Sequence, residues 1–163
     1  MKAKKSKSLE GNNEIIIRAI IFAILSAVWM IVIFLFSAED GEASSLSSDS
    51  IYYLLLSWMP YSHDIIKLIR KTAHLISYAV LGFLYANLVD ALVGDYRKTF
   101  FISLAFGVCY AASDEYHQSL IPGRSPKLTD ILIDACGLAI GIALAWAVKQ
   151  IIHLVFRKNR VES

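Results

Sequence analysis

The chain has 163 residues, 56% of them hydrophobic and 18% charged, with a formal net charge of +2. A mean hydropathy of +0.54 is too high for a water-soluble domain of this size built around one core. There is no basic stripe interleaved with aromatics, so nucleic acid is not an expected partner.

Residues 1–14 are polar and lysine-rich (Lys2, Lys4, Lys5, Lys7) and lack apolar periodicity, which reads as a disordered cytoplasmic tail. Ala19 to Phe36 follows as the first of three apolar runs of roughly 18 residues, each long enough for a transmembrane helix. A cleaved signal peptide is the competing reading, with lysines before the run and Ser37-Ala38 after it. The run exceeds the usual h-region of about 7–15 residues, so an uncleaved anchor is expected. Ser37 to Ser50 is acidic and serine-rich, with Glu39, Asp40, Glu42 and Asp49. Ile51 to Met59 is too short to cross as a helix, and Tyr52, Tyr53 and Trp58 suit an interfacial or re-entrant helix at headgroup level. An ordinary packed loop helix remains the alternative.

Thr72 to Val89 is the second expected span, entered through Lys67, Arg70 and Lys71. The Asp90–Lys98 loop reverses the chain, and Thr99 to Ser113 is a short third span whose helix is expected to continue through Asp114, Glu115 and Tyr116. Ile131 to Val148 is the fourth, followed by Lys149, Arg157, Lys158 and Arg160. The expected fold is therefore all-α, a four-helix transmembrane bundle with a short interfacial or re-entrant helix between spans one and two. Its expected organisation is a tail over 1–14, a membrane domain over 15–156 and a second cytoplasmic tail over 157–163. Both termini and the 90–98 loop then share one side, which holds eleven basic residues against five on the other. The positive-inside rule makes the first side cytoplasmic and places the protein in the cell membrane with both termini inside. Cys109 and Cys136 lie within apolar runs and read as small core residues.

Ionisable groups collect at the opposite, outer end. Lys71, His74 and Tyr78 fall at i, i+3 and i+7, on one helix face beside Arg70. Asp114, Glu115, His117 and Gln118 end the third span, Arg124 follows in a Pro-Gly-Arg turn, and Asp130 and Asp134 share a face at i and i+4. Gly137 and Gly141 continue roughly along that stripe, allowing close approach of a neighbouring helix. A buried charge costs about 2.5–3.5 kcal/mol at the centre of a membrane helix, so these groups should face partners or a wet cavity. Ion pairs that only fix helix register are one reading: Lys71 with Asp114 or Asp134, and Arg124 with Glu115 or Asp130. A ligand site is the other, in which cations hold a phosphate or carboxylate and a carboxylate or histidine moves a proton. The spacing of His117 from Glu115 and Asp130 fits no recognised metal site, no cofactor motif is present, and no nucleophile elbow occurs.

KTAHLISYAVLGFLY from Lys71, SDEYHQSLIPGRSPKLTDILIDACGLAIG from Ser113 and FLFSAEDG from Phe34 together resemble the VanZ-like family. That family is named for a membrane protein encoded with glycopeptide-resistance genes and linked to reduced susceptibility to teicoplanin. It more often has glutamine where this chain has Glu39. The resemblance implies a bacterial cell-membrane protein with a possible link to glycopeptide tolerance, and makes the outer cluster the candidate site. Lipid phosphatases of the PAP2 type require PSGH-like and SRxxxxxHxxxD stretches, and neither is present. Three functions stay open: a site for an anionic envelope ligand (a lipid-linked wall precursor, a polyprenyl phosphate or a lipoglycopeptide), a hydrolase or transferase of lipid-linked substrates, and a structural or partner-binding bundle. Membrane lipid is the surrounding partner in all three, and oligomeric state is open.

Overall fold

A computed structural model describes residues 2–38, 41–121 and 127–161. They form five helices, α1 (Lys2–Ser37), α2 (Gly41–Leu55), α3 (His63–Val93), α4 (Tyr96–Gln118) and α5 (Leu128–Val161), with no strand among them. Local chemistry sets several of the ends. Ser62 caps α3, its hydroxyl accepting from Ile65 N at 3.3 Å, and Gly94 closes it in the left-handed conformation at φ 70°. Asp95 then caps α4 at once by accepting from Lys98 N at 2.9 Å, so two residues reverse the chain.

The bundle is organised around the parallel pair α3 and α5. Lys71 meets Asp130, His74 meets Asp134 and Asp90 meets Lys149, a nearly constant offset that runs the two helices side by side in one direction. Glycine makes the seam this close. A Cβ on Gly141 would lie 1.8 Å from Ala79 O, one on Gly137 2.4 Å from Leu75 O, and one on Gly82 2.3 Å from Leu138 O. The helices touch backbone to backbone, the small-residue packing that drives association where lipid supplies no hydrophobic force. The Gly137/Gly141 spacing is thus used within the chain. Antiparallel to α3, α1 is tied to it by Trp29 Nε1 donating to Ser77 O at 2.9 Å, and to α4 by Tyr110 Oη donating to Met30 O at 2.7 Å. Ile33, Tyr78, Leu81, Ala111 and Leu138 fill the centre.

Gly11–Ser37, His63–Val93 and Leu128–Val155 are long and apolar enough to cross a membrane. Their outer faces carry exposed Ile20, Ile24, Ile31, Leu35, Ile76, Leu132, Leu144 and Ile151. Such a surface invites association in water and is the expected face toward lipid. Lys71 and Asp90, at the two ends of the seam, are about 28 Å apart along α3 at 1.5 Å per residue, close to the roughly 30 Å of a bilayer core. α4 has 23 residues but does not join this set, because Arg97 and Lys98 begin it and Asp114, Glu115, His117 and Gln118 end it. The sequence leads to four spans, and three helices meet the criterion.

Three further expectations can be placed. Helix α1 already begins at Lys2, within the segment read as a basic tail. The serine-rich stretch and the aromatic piece after it merge into α2, which turns inward through buried Ser48 and Tyr52 and outward through exposed Leu46, Tyr53, Leu54 and, just beyond it, Trp58. Cys109 and Cys136, expected in the core, are both exposed on helix surfaces. Small size alone does not bury a residue in a bundle whose outer faces are themselves apolar.

Candidate functional site

At the Lys71 end, three helices bring a buried carboxylate and its donors together. Asp114 on α4 is 3% exposed. Its Oδ2 accepts from Ser37 Oγ at 2.9 Å, Tyr78 Oη at 3.1 Å and Gln118 Nε2 at 3.1 Å, while Gln118 Nε2 also donates to Ser37 Oγ at 3.2 Å. Ser37 comes from the last turn of α1 and Tyr78 from the middle of α3. A charge held away from water needs such donors, and three on one oxygen are strong compensation. Asp114 Oδ1 is buried with no hydrogen-bond partner among the described residues.

The remaining expected site residues divide into pairs along the seam and around its end. His74 Nδ1 stands 3.5 Å from Asp134 Oδ1, at the outer limit of a hydrogen bond, with Asp134 2% exposed. The His74 ring lies nearly parallel to Tyr78, centroids 6.5 Å apart, which links this pair to the Asp114 network. Lys71 Nζ is 3.5 Å from Asp130 Oδ1, both partly exposed. The expected alternatives placed Lys71 on Asp114 or Asp134. The parallel register of α3 and α5 instead sets it one turn further out, beside Asp130. Glu115 Oε1 accepts from Lys127 N, ahead of the first turn of α5, and so caps that helix from a neighbouring one. His117 packs its ring on Phe34 at 4.6 Å, and its Nδ1 is buried without a partner among the described residues. Arg124 lies outside the described residues.

The cavity lies elsewhere than the seam. A space of about 280 Å³ opens between α1, α2 and α3, lined by Ser37, Ser48, Arg70, His74, Ser77 and Tyr78 with Ile33, Phe36, Ile51 and Ile69. The expected site residues come from the second, third and fourth expected spans, whereas these walls come from α1, α2 and α3. At this end the glycine contacts close α3 onto α5, and this cavity lies on the other flank of α3. Two lining residues change the reading of the site. Ser37 sits at the last turn of the first span, and nothing in its spacing distinguished it from its serine-rich surroundings. Arg70, next to the Lys71–His74–Tyr78 face in sequence, is the other. It is half-buried on the cavity wall and makes no hydrogen bond or ion pair with any described residue. Among the described residues no three His, Cys, Asp or Glu side chains gather as a metal site.

Membrane-length helices, a glycine-closed seam and a buried polar cluster at one end define a helical protein of membrane type with a candidate polar site. The sequence profile of the VanZ/LLP1 family matches residues 22–152, which covers every helix that builds the cluster. The chain belongs to the VanZ/LLP1 family. No curated protein and no solved structure matches it.

Proposed function

We propose that the chain is a four-span cell-membrane protein with both termini cytoplasmic, whose outward end binds an anionic, lipid-linked envelope ligand between α1, α2 and α3. The observation that carries this is Arg70. A guanidinium half-buried near the end of the membrane-length seam, on the wall of a 280 Å³ cavity and without a carboxylate among the described residues, suits an anionic ligand. Hydroxyls of Ser37 and Tyr78 stand on the same wall and are already oriented by Asp114. Ile33, Phe36, Ile51 and Ile69 supply the apolar part of the lining, which suits a hydrocarbon chain entering from lipid. Phosphate on a polyprenyl chain, a lipid-linked wall precursor and a lipoglycopeptide share this chemistry, and the last connects the site to teicoplanin tolerance.

Farnesyl phosphate and farnesol differ only in the anion, so their binding to the detergent-solubilised chain tests the proposal. The phosphate should bind at least about tenfold more tightly, and Arg70→Gln should erase the difference without lowering the melting temperature. Equal binding of the two, or an unaffected Arg70→Gln, contradicts it. In cells, the same variant should lose any lipoglycopeptide tolerance that the parent confers.

The enzyme reading has one observation behind it: Ser37 Oγ faces the cavity and donates to Asp114 Oδ2 at 2.9 Å, the arrangement of a hydroxyl beside a base. That oxygen already accepts from three donors, which leaves it little room to take up a further proton and favours binding over turnover. Hydrolysis of a labelled polyprenyl-linked substrate, lost in Ser37→Ala, would reverse that order. The staple reading accounts for Lys71–Asp130, His74–Asp134 and Glu115–Lys127, and leaves Arg70 without a role.

A further inference from the structure

The opposite end of the α3–α5 seam carries a second polar recess. Asp90 accepts from Lys149 Nζ at 2.7 and 2.9 Å through both oxygens and from Arg18 at 3.3 Å, which joins α1, α3 and α5. Beside this clasp lies a space of about 130 Å³, lined by Asp90, Lys149, Thr99, Gly94 and the half-exposed rings of Tyr96 and Trp146. The rings stand 5.1 Å apart. Thr99 is only 5% exposed, yet its Oγ1 has no hydrogen-bond partner among the described residues. An unmade hydrogen bond on a buried hydroxyl costs about 1–3 kcal/mol, so this group calls for an occupant of the recess.

Charge decides the sign of that occupant. Arg18 and Lys149 together outweigh Asp90, Lys149 keeps a third proton that the carboxylate does not use, and on the adjoining first turn of α4 Arg97 and Lys98 outweigh the capping carboxylate of Asp95. Thr99 is itself in that turn, where the helix dipole is positive and favours an anion. Tyr96 and Trp146 are the residue types that settle at headgroup depth. We propose that this recess is a second, phosphate-binding site, taking the phosphate of an anionic phospholipid headgroup through Thr99 Oγ1 and Lys149 Nζ. It is independent of the Arg70 cavity.

The test is the melting temperature of the full chain in phosphatidylcholine discs, alone, with a minor fraction of phosphatidylglycerol, or with millimolar inorganic phosphate. Phosphatidylglycerol should raise it by about 3–6 °C. Thr99→Val removes only the hydroxyl and should fold, since loss of an unpartnered buried group is close to neutral. In that variant the lipid dependence should shift to roughly tenfold higher lipid fraction. Lys149→Gln should act in the same direction, and Arg157→Gln, away from the recess, should not. A rise with inorganic phosphate alone supports the site and makes a soluble phosphate its ligand. No rise with either probe, or an undiminished rise in Thr99→Val, overturns the proposal, the latter outcome assigning the effect to general basic charge.

Discussion

Removing Asp114 should be the most destabilising single change at the Lys71 end. In Asp114→Ala, Tyr78 Oη and Ser37 Oγ each lose their one acceptor among the described residues, while Gln118 Nε2 retains Ser37 Oγ at 3.2 Å. Two buried donors left unpaired cost about 1–3 kcal/mol each, hence about 2–6 kcal/mol in total. A melting temperature followed by tryptophan fluorescence in detergent should fall by about 4–24 °C, taking 2–4 °C per kcal/mol for a chain of this size. Asp114→Asn keeps an acceptor oxygen and a similar shape, and should lose less than half as much. The reasoning is refuted if Asp114→Ala melts within about 1 °C of the parent, because Tyr78 and Ser37 would then be satisfied by other means.

Other consequences are as direct. Gly141→Leu places a side chain where even a Cβ would sit 1.8 Å from Ala79 O, so α3 and α5 must separate; detergent-solubilised protein should be destabilised by more than about 3 kcal/mol or fail to fold. Glu115→Ala removes the acceptor for Lys127 N and should cost about 1 kcal/mol in thermal unfolding, with Glu115→Gln recovering most of it. Asp90→Ala leaves Arg18 and Lys149 facing each other; with both cations about half exposed, solvent screening limits the loss to about 1–2 kcal/mol, shrinking further at high salt. For orientation, a cysteine-free chain carrying Ser119→Cys should react with an impermeant thiol reagent in intact cells, whereas one carrying Lys98→Cys should react only after lysis.

The pieces legible from sequence were those carried by helical periodicity. Lys71 and His74 do both face α5, where Asp130 and Asp134 share a face, because i, i+3 and i+4 spacings survive in any α-helix, while Tyr78 on the same stripe reaches Asp114 of α4. The close approach implied by Gly137 and Gly141 is likewise present. Pairing was harder to read, since it depends on register between helices: a parallel offset near sixty residues puts Lys71 on Asp130 rather than on Asp114. Arg70 and Lys71 differ by one residue and thus by about 100° around α3, enough to send one to the cavity and the other to the seam. The walls of the cavity were missed for the same reason. Only the three-dimensional distance between helices decides whether glycine leaves room or removes it, and here it removes it.

The most direct test of the central claim is where a ligand attaches. A polyprenyl phosphate bearing a photoreactive group on its chain, irradiated with the protein in membranes, should label Ile33, Phe36, Ile69 and Ala73 around the Arg70 cavity, and Arg70→Gln should abolish that labelling. Label spread evenly over exposed Ile24, Ile76, Leu132 and Leu144, unchanged in the variant, would mean that lipid merely surrounds the bundle and that the cavity holds no anion.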